Sequence, residues 1–375
     1  MKDTLFLIYN DLIKEKTKKE RLVLMLSLSV FLPYVFTAIA LIIACVFAFL
    51  DKDFAKGFLE KSEGKLVLMF FLLNAITPFL FKNYLGALCF LGILIMLVLA
   101  LYIRDIMTQK LYDAVYKVLC FGSFLASFVA VFQKIIGLTN NEGRVASVCF
   151  NANYYGTLIE IMVILIIYRI FYQKKDIILS VCALILNAMG LILCNCQSAF
   201  IGIAFGLWLL LLFTKKYKAF FSLTAVLILA VCFIDKLTFI LPRILGFAEN
   251  LKRRAGIWTA SLKEIKNNFV LGRGMLGYLQ YYKEYSAPSA PHCHNLVLDL
   301  LSSFGIVGTL PFVAFVIKAI SKFKNSAYKS VFVCVFLALM LHSLVDVTLM
   351  WLQTGLLTVL LLSLCNIKKG EIKNA

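Results

Sequence analysis

Apolar runs of about membrane-spanning length recur from residue 22 to residue 365, and they decide what this 375-residue chain can fold into. A helix needs about 20 apolar residues to cross about 30 Å of hydrocarbon, where each backbone N–H and C=O must be paired within its own segment. Composition agrees: 62% of residues are hydrophobic and 15% charged, against about 25% charged in an ordinary soluble domain. The runs are too long and too continuously apolar for barrel strands. The expected fold is all-α, a polytopic membrane helical bundle with residues 1–375 forming a single integral membrane domain.

Candidate spans fall at 22–33, 35–50, 64–81, 84–103, 113–136, 154–172, 177–194, 198–214, 218–235, 296–318, 328–345 and 348–365. Residues 22–50 would otherwise make one helix of about 44 Å, but Pro33 and Tyr34 supply a break. Basic connections around Arg104–Lys110, Lys174–Lys175, Lys215–Lys218 and Lys318–Lys329 share one side by alternation, the side expected to be cytoplasmic. The basic head (Lys14, Lys16, Lys18, Lys19, Arg21) and the tail (Lys368, Lys369, Lys373) join them. No small-residue cleavage site follows the head, which is expected to stay attached. About 12 transmembrane segments result, with both ends cytoplasmic and residues 235–295 as a large extracytoplasmic, partly helical loop between the ninth and tenth.

The 38 Lys and Arg against 20 Asp and Glu give a formal charge of +18. Because the cations gather in short connections, membrane lipids are the expected partner and nucleic acid is not. The 11 Cys are scattered mostly through apolar runs as small hydrophobes, without a disulfide framework.

Side-chain chemistry concentrates in a few places. Within the long loop, Glu249–Asn268 reads as a helix with Leu251, Ala255, Trp258, Leu262 and Ile265 as its apolar stripe. Arg254 and Trp258 share a face four residues apart. A guanidinium fork there suits a diphosphate, while snorkelling to lipid headgroups is the alternative for Lys252, Arg253 and Arg254. Tyr281, Tyr282 and Tyr285 read as an interfacial aromatic edge. His292 and His294 flank Cys293, but a third convincing metal ligand is lacking, so no metal is expected. His294 at a helix start suits a general base, and Asn295 follows it. His342 and Asp346, four apart near the end of an apolar run, form an ionisable pair of the kind that faces protein or water. An interhelical clasp is the alternative. Arg144, Asn151 and Asn153 form a polar corner ahead of another run.

These motifs resemble the bacterial family of O-antigen ligases and O-antigen polymerases, membrane glycosyltransferases of C-type topology. The family pattern of His, then Asn, Ser or Gln, nine residues, Gly, two residues and Gly is met by His294, Asn295, Gly305 and Gly308, with Thr309 following as in many ligases. Arg254, Trp258, Gly272 and Gly274 resemble its upstream pattern, and Arg144 with Asn153 its polar loop. Together they span about residues 120–350. Where many relatives carry Ser-Arg, this chain departs with Cys196, Gln197, Ser198 and Ala199.

The resemblance implies a multi-pass enzyme of the bacterial cytoplasmic (inner) membrane. It would move a glycan from an undecaprenyl diphosphate carrier to an acceptor hydroxyl, on a glycan or lipid-linked acceptor, at the outer face. His294 would be the catalytic base of a metal-independent, inverting transfer without a cofactor. Arg144, Arg254, Asn153, Asn295, Trp258, His342 and Asp346 would bind substrate. A polymerase joining lipid-linked repeats is the alternative within the family. A polytopic transporter is the alternative of another class, disfavoured because no internal repeat is apparent and the cations cluster beside His294 rather than at midplane breaks.

Overall fold

The computed structural model describes residues 16–233, 236 and 246–370. Lys14, Lys373 and positions 234–235 and 237–245 of the expected loop lie outside the described residues. Among those described, secondary structure is helical apart from one isolated bridge between Ser326 and Lys368.

Helices occupy nearly every predicted span. The break at Pro33 is present: α1 (Lys18–Ser29) ends before it and α2 (Tyr34–Leu50) begins after it. A capping box of Thr17 and Glu20 starts α1. Then α3 (Lys52–Phe58) turns away from α2 by 86°. Next come α4 (Ser62–Asn74), the short α5 (Thr77–Leu80), α6 (Tyr84–Ile106) and α7 (Gln109–Ile135). After a loop follow α8 (Ala152–Tyr168), which ends in a π-turn over Arg169–Gln173, then α9 (Ile177–Cys194), α10 (Gln197–Phe213) and α11 (Tyr217–Cys232). The remainder is α12 (Phe247–Asn267), α13 (Tyr278–Tyr281), α14 (Leu296–Ser321), α15 (Lys329–His342) and α16 (Leu352–Leu362). Among the described residues, six spans are long and apolar enough to cross a membrane, or seven if α2 with α3 counts as one; α10, α11, α15 and α16 with its following turn are apolar but shorter.

Polar side chains sort to the two ends of the bundle. At one end Arg104 and Lys322 meet Glu63 at 2.8 and 3.0 Å, and the buried Arg169 meets Asp113 at 2.8 Å. The basic connections identified in the sequence gather here. Asn153 is in the first turn of α8 and Arg169 follows its last residue, so at 1.5 Å per residue the two are about 24 Å apart. The Asn153 end carries His292 and His294.

The helix expected over Glu249–Asn268 is α12, and its packed face coincides with the expected stripe only in part, at Ile265 and the half-buried Trp258. Ile257, Ala260, Ser261, Glu264 and Ile265 are buried, whereas Leu251 and Leu262 are 42% and 57% exposed. Glu264 on that face has partners: its carboxylate is ion-paired with Arg273 at 2.6 Å and accepts from the Tyr285 hydroxyl at 2.9 Å. Tyr281 is not part of an aromatic edge either. It is fully buried beneath α12, with its hydroxyl 3.4 Å from both Ser261 Oγ and Cys293 Sγ.

Candidate functional site

The site is assembled where α14 begins, and the glycines of the His-Asn motif explain how. At Gly305 the backbone leaves helical geometry (φ 57°, ψ −172°) and divides α14. Into the notch runs the chain after α12: Ile306 N–H donates to the Phe269 carbonyl at 2.8 Å, while Arg273 and Gly274 N–H donate to the Ser302 and Ser303 carbonyls, each at 2.8 Å. Gly272, also left-handed at φ 65°, would place a Cβ 2.6 Å from the Ser303 backbone. Only glycine tolerates both the conformation and the approach. The Thr309 hydroxyl spans the break to the Leu300 carbonyl at 3.1 Å.

Asn295 caps α14, its Oδ1 accepting from Val297 and Leu298 N–H at 3.0 and 3.1 Å. Its Nδ2 donates to the Leu344 carbonyl at 3.0 Å, and Leu296 N–H donates to the Ser343 carbonyl at 2.9 Å. These bonds tie the start of α14 to the connection between α15 and α16, which carries Asp346. His294 immediately before the cap has φ 49°, left-handed geometry that a non-glycine residue adopts at a cost and that recurs at functional sites.

His294 Nδ1 lies 3.1 Å from Asp346 Oδ1. The other carboxylate oxygen, Oδ2, accepts from Asn153 Nδ2 at 2.6 Å, and Asn153 Oδ1 accepts in turn from Arg144 Nη2. Arg144 also donates through Nε to the Cys194 carbonyl at 2.7 Å. A continuous chain thus runs from Arg144 through Asn153 and Asp346 to His294. Burial opposes ionisation of Asp346, but the hydrogen bond from His294 and the charges of His292, His294 and His342 outweigh it and hold the carboxyl well below the usual range. As an acceptor, the carboxylate fixes the His294 proton on Nδ1. Nε2 has no hydrogen-bond partner among the described residues, on a side chain that is 21% exposed.

His292 lies against this pair, its ring 4.4 Å from that of His294. Its Nδ1 accepts from the His294 backbone N–H at 3.2 Å and its Nε2 is 3.5 Å from Asp346 Oδ1. Burial, the largest effect, together with the charges of His294 and Arg254, lowers its pKa against the pull of Asp346 and Asp299. Ligand atoms of His292, His294 and Asp346 lie within 4.8 Å of one another, a grouping with the composition of a metal site.

Trp258 donates from Nε1 to the His294 carbonyl at 3.4 Å, which places α12 over the histidines. Arg254, one turn earlier, is half-buried and has no hydrogen-bond partner among the described residues. A pocket of about 310 Å³ opens beside Arg144, lined by Gln133, Asn140, Ser147, Phe150 and Asn151 among others.

The expected pairing of His342 with Asp346 is not formed. Because α15 ends at His342, the two do not share a helical face. The His342 Nδ1 is instead 2.6 Å from Glu160 Oε2, and its Nε2 is 3.0 Å from Ser198 Oγ. Sequence reasoning passed over Glu160, although a lone carboxylate inside an apolar run is a signal in itself. Ser198 stands in the segment that departs from the resembled family.

Residues 182–313 match a protein-family model described as O-antigen ligase. The matched interval contains Arg254, Trp258, His294, Asn295, Gly305 and Gly308, while Arg144, Asn153, His342 and Asp346 lie outside it. No curated protein matches the chain.

Proposed function

We propose, from the premise that the chain carries an O-antigen ligase family domain over residues 182–313, that it transfers a glycan from undecaprenyl diphosphate to an acceptor hydroxyl. The observation that carries this reading is the His294–Asp346 contact at 3.1 Å, which leaves His294 Nε2 without a partner among the described residues. An acceptor hydroxyl placed against Nε2 gives up its proton as its oxygen attacks the anomeric carbon from the side opposite the leaving diphosphate. The anomeric configuration inverts, and Asp346 stabilises the imidazolium that forms. As the glycosidic bond breaks, negative charge grows on the diphosphate. Arg254, whose guanidinium has no hydrogen-bond partner among the described residues, meets that charge with paired hydrogen bonds. Arg144 has donors on all three of its guanidinium nitrogens engaged, by the Cys194 carbonyl, Asn153 and Glu142, so it acts through its charge rather than through an open fork.

The transfer is read as needing no metal. His292 Nδ1 accepts a backbone N–H, so in the neutral ring the proton is on Nε2, and that nitrogen offers Asp346 a donor rather than offering a cation a lone pair. The diphosphate is already an activated leaving group. About 12 crossings, with the His294 end and the loop containing α12 at the outer face of the cytoplasmic membrane, fit the basic opposite end.

Polymerisation of lipid-linked repeats uses the same chemistry with another acceptor. Thr309 does not favour either, since its hydroxyl bridges the break in α14. The test is reconstitution of the purified protein with an undecaprenyl diphosphate-linked glycan and candidate acceptors, without nucleotide or added metal. A new glycosidic product that depends on His294 is expected. Movement of intact substrate across the bilayer without bond change would make the protein a transporter. In a deletion strain, lipid-linked chains that accumulate without surface attachment identify a ligase, and a single-repeat product identifies a polymerase.

A further inference from the structure

Glu160 is fully buried midway along α8, a helix whose adjoining Ile159, Ile161 and Met162 are buried as well. Its Oε2 meets His342 at 2.6 Å, while Oε1 has no hydrogen-bond partner among the described residues. On the far side of the carboxylate stands Gly202 of α10, where any Cβ would collide with Glu160. The bundle therefore makes room for a carboxylate at the expense of helix–helix side-chain packing. A buried ion pair is weak evidence for stability, because apolar residues of similar volume often serve as well or better. An ionisable pair kept inside an apolar bundle points instead to function.

What the pair touches indicates which function. Asn153 and Glu160 are seven residues, or two turns, apart on α8 and share a face. Asn153 holds Asp346 at 2.6 Å and Glu160 holds His342 at 2.6 Å. His342 is the last residue of α15, and its carbonyl accepts from Val345 N–H at 3.1 Å. Its position thus sets where the connection bearing Asp346 begins. Ser198 braces the other ring nitrogen from α10.

We infer that Glu160 is a positioning residue for glycan transfer, acting through His342 to hold Asp346 in hydrogen-bond register with His294. This rests on the transfer reading above. It assigns His342 to the support of the reacting groups and not to substrate contact.

The test uses the full chain, reconstituted with an undecaprenyl diphosphate-linked glycan and an acceptor. Replacing the pair with apolar residues (Glu160→Leu with His342→Leu) is expected to leave abundance, thermal midpoint and both KM values near wild type. The kcat is expected to fall by about 10²-fold, the scale of an ångström-sized misplacement. Glu160→Gln, which keeps an acceptor for His342 Nδ1, is expected to retain most of the rate. Wild-type kcat in the double variant overturns the proposal, as does a Gln variant as slow as the double one. If the double variant does not accumulate, Ser198→Ala decides: a several-fold loss of kcat at unchanged KM supports positioning, and an unchanged kcat overturns it. An inactive His294→Ala beside fully active Glu160 and Ser198 variants would sink this inference alone. A fully active His294→Ala would sink the transfer reading itself.

Discussion

His294 and Asp346 are 52 positions apart in the chain, and their side chains meet at 3.1 Å because Asn295 and Leu296 are bonded to the backbone just ahead of Asp346. In the proposed mechanism the carboxylate would make His294 a better base by fixing its proton on Nδ1 and by stabilising the imidazolium. His294→Ala should therefore lower transfer by roughly 10²-fold or more at near-normal abundance. Asp346→Asn should cost a comparable factor, since an amide can present an N–H to Nδ1 and favour the wrong tautomer. Combining the two should cost little more than the worse single change, as for residues acting as a unit. Wild-type turnover in Asp346→Asn would remove the dyad from the mechanism.

The two arginines should respond differently to lysine. Arg254 has no hydrogen-bond partner among the described residues, so Arg254→Lys should lower kcat/KM through lost paired contacts to the diphosphate while leaving the thermal midpoint in place. Arg144 bonds the Cys194 carbonyl and Asn153, contacts a single ammonium cannot reproduce together. Arg144→Lys should therefore lower both the thermal midpoint and the rate. Identical profiles for the two variants would contradict this division.

Helix positions were legible because an apolar run and a basic connection mark a span and its end directly. The orientation of α12 was not. A helix at a membrane surface can turn apolar residues toward lipid, so the stripe through Leu251 and Leu262 did not mark the side facing protein; the packed side includes Ser261 and Glu264, which meet Tyr281, Arg273 and Tyr285 from later in the chain. Spacing also misled at His342 and Asp346. Four residues place side chains together only within a helix, and α15 ends at the first of them. The motif around His294, Asn295, Gly305 and Gly308 was visible in the sequence, but its physical basis, a notch in α14 filled by the chain after α12, required the structure. Contact between His294 and Asp346 leaves no local trace in the sequence.

The second glycine of that motif makes a close approach of its own. A Cβ on Gly308 would overlap the amide of Asn74 on α4, which donates to the Phe70 carbonyl at 2.8 Å. Gly308→Ala should destabilise the protein by about 1–3 kcal/mol, as overpacking does. It should be read as a lower thermal midpoint. Adding Asn74→Ala removes the obstructing amide and should recover part of the loss, a coupling expected of residues in contact. Additive losses in the double variant would show that Gly308 is required for some other reason.

His292 gives the protein a sign for its response to acid. Its folded-state pKa is pushed down, chiefly by burial, from an ordinary value near 6.5. As pH falls below about 6.5 the unfolded chain binds a proton that the folded protein still refuses, so folding stability declines until the lowered folded-state pKa is passed. Above that window the ring is neutral in both states and makes no pH-dependent contribution. The thermal midpoint of the purified protein should therefore drop between pH 7.5 and pH 5.5. In His292→Gln, which cannot titrate, that drop should be shallower even if the variant starts from a lower midpoint at pH 7.5. An equally steep drop in the variant would assign the acid sensitivity to other groups.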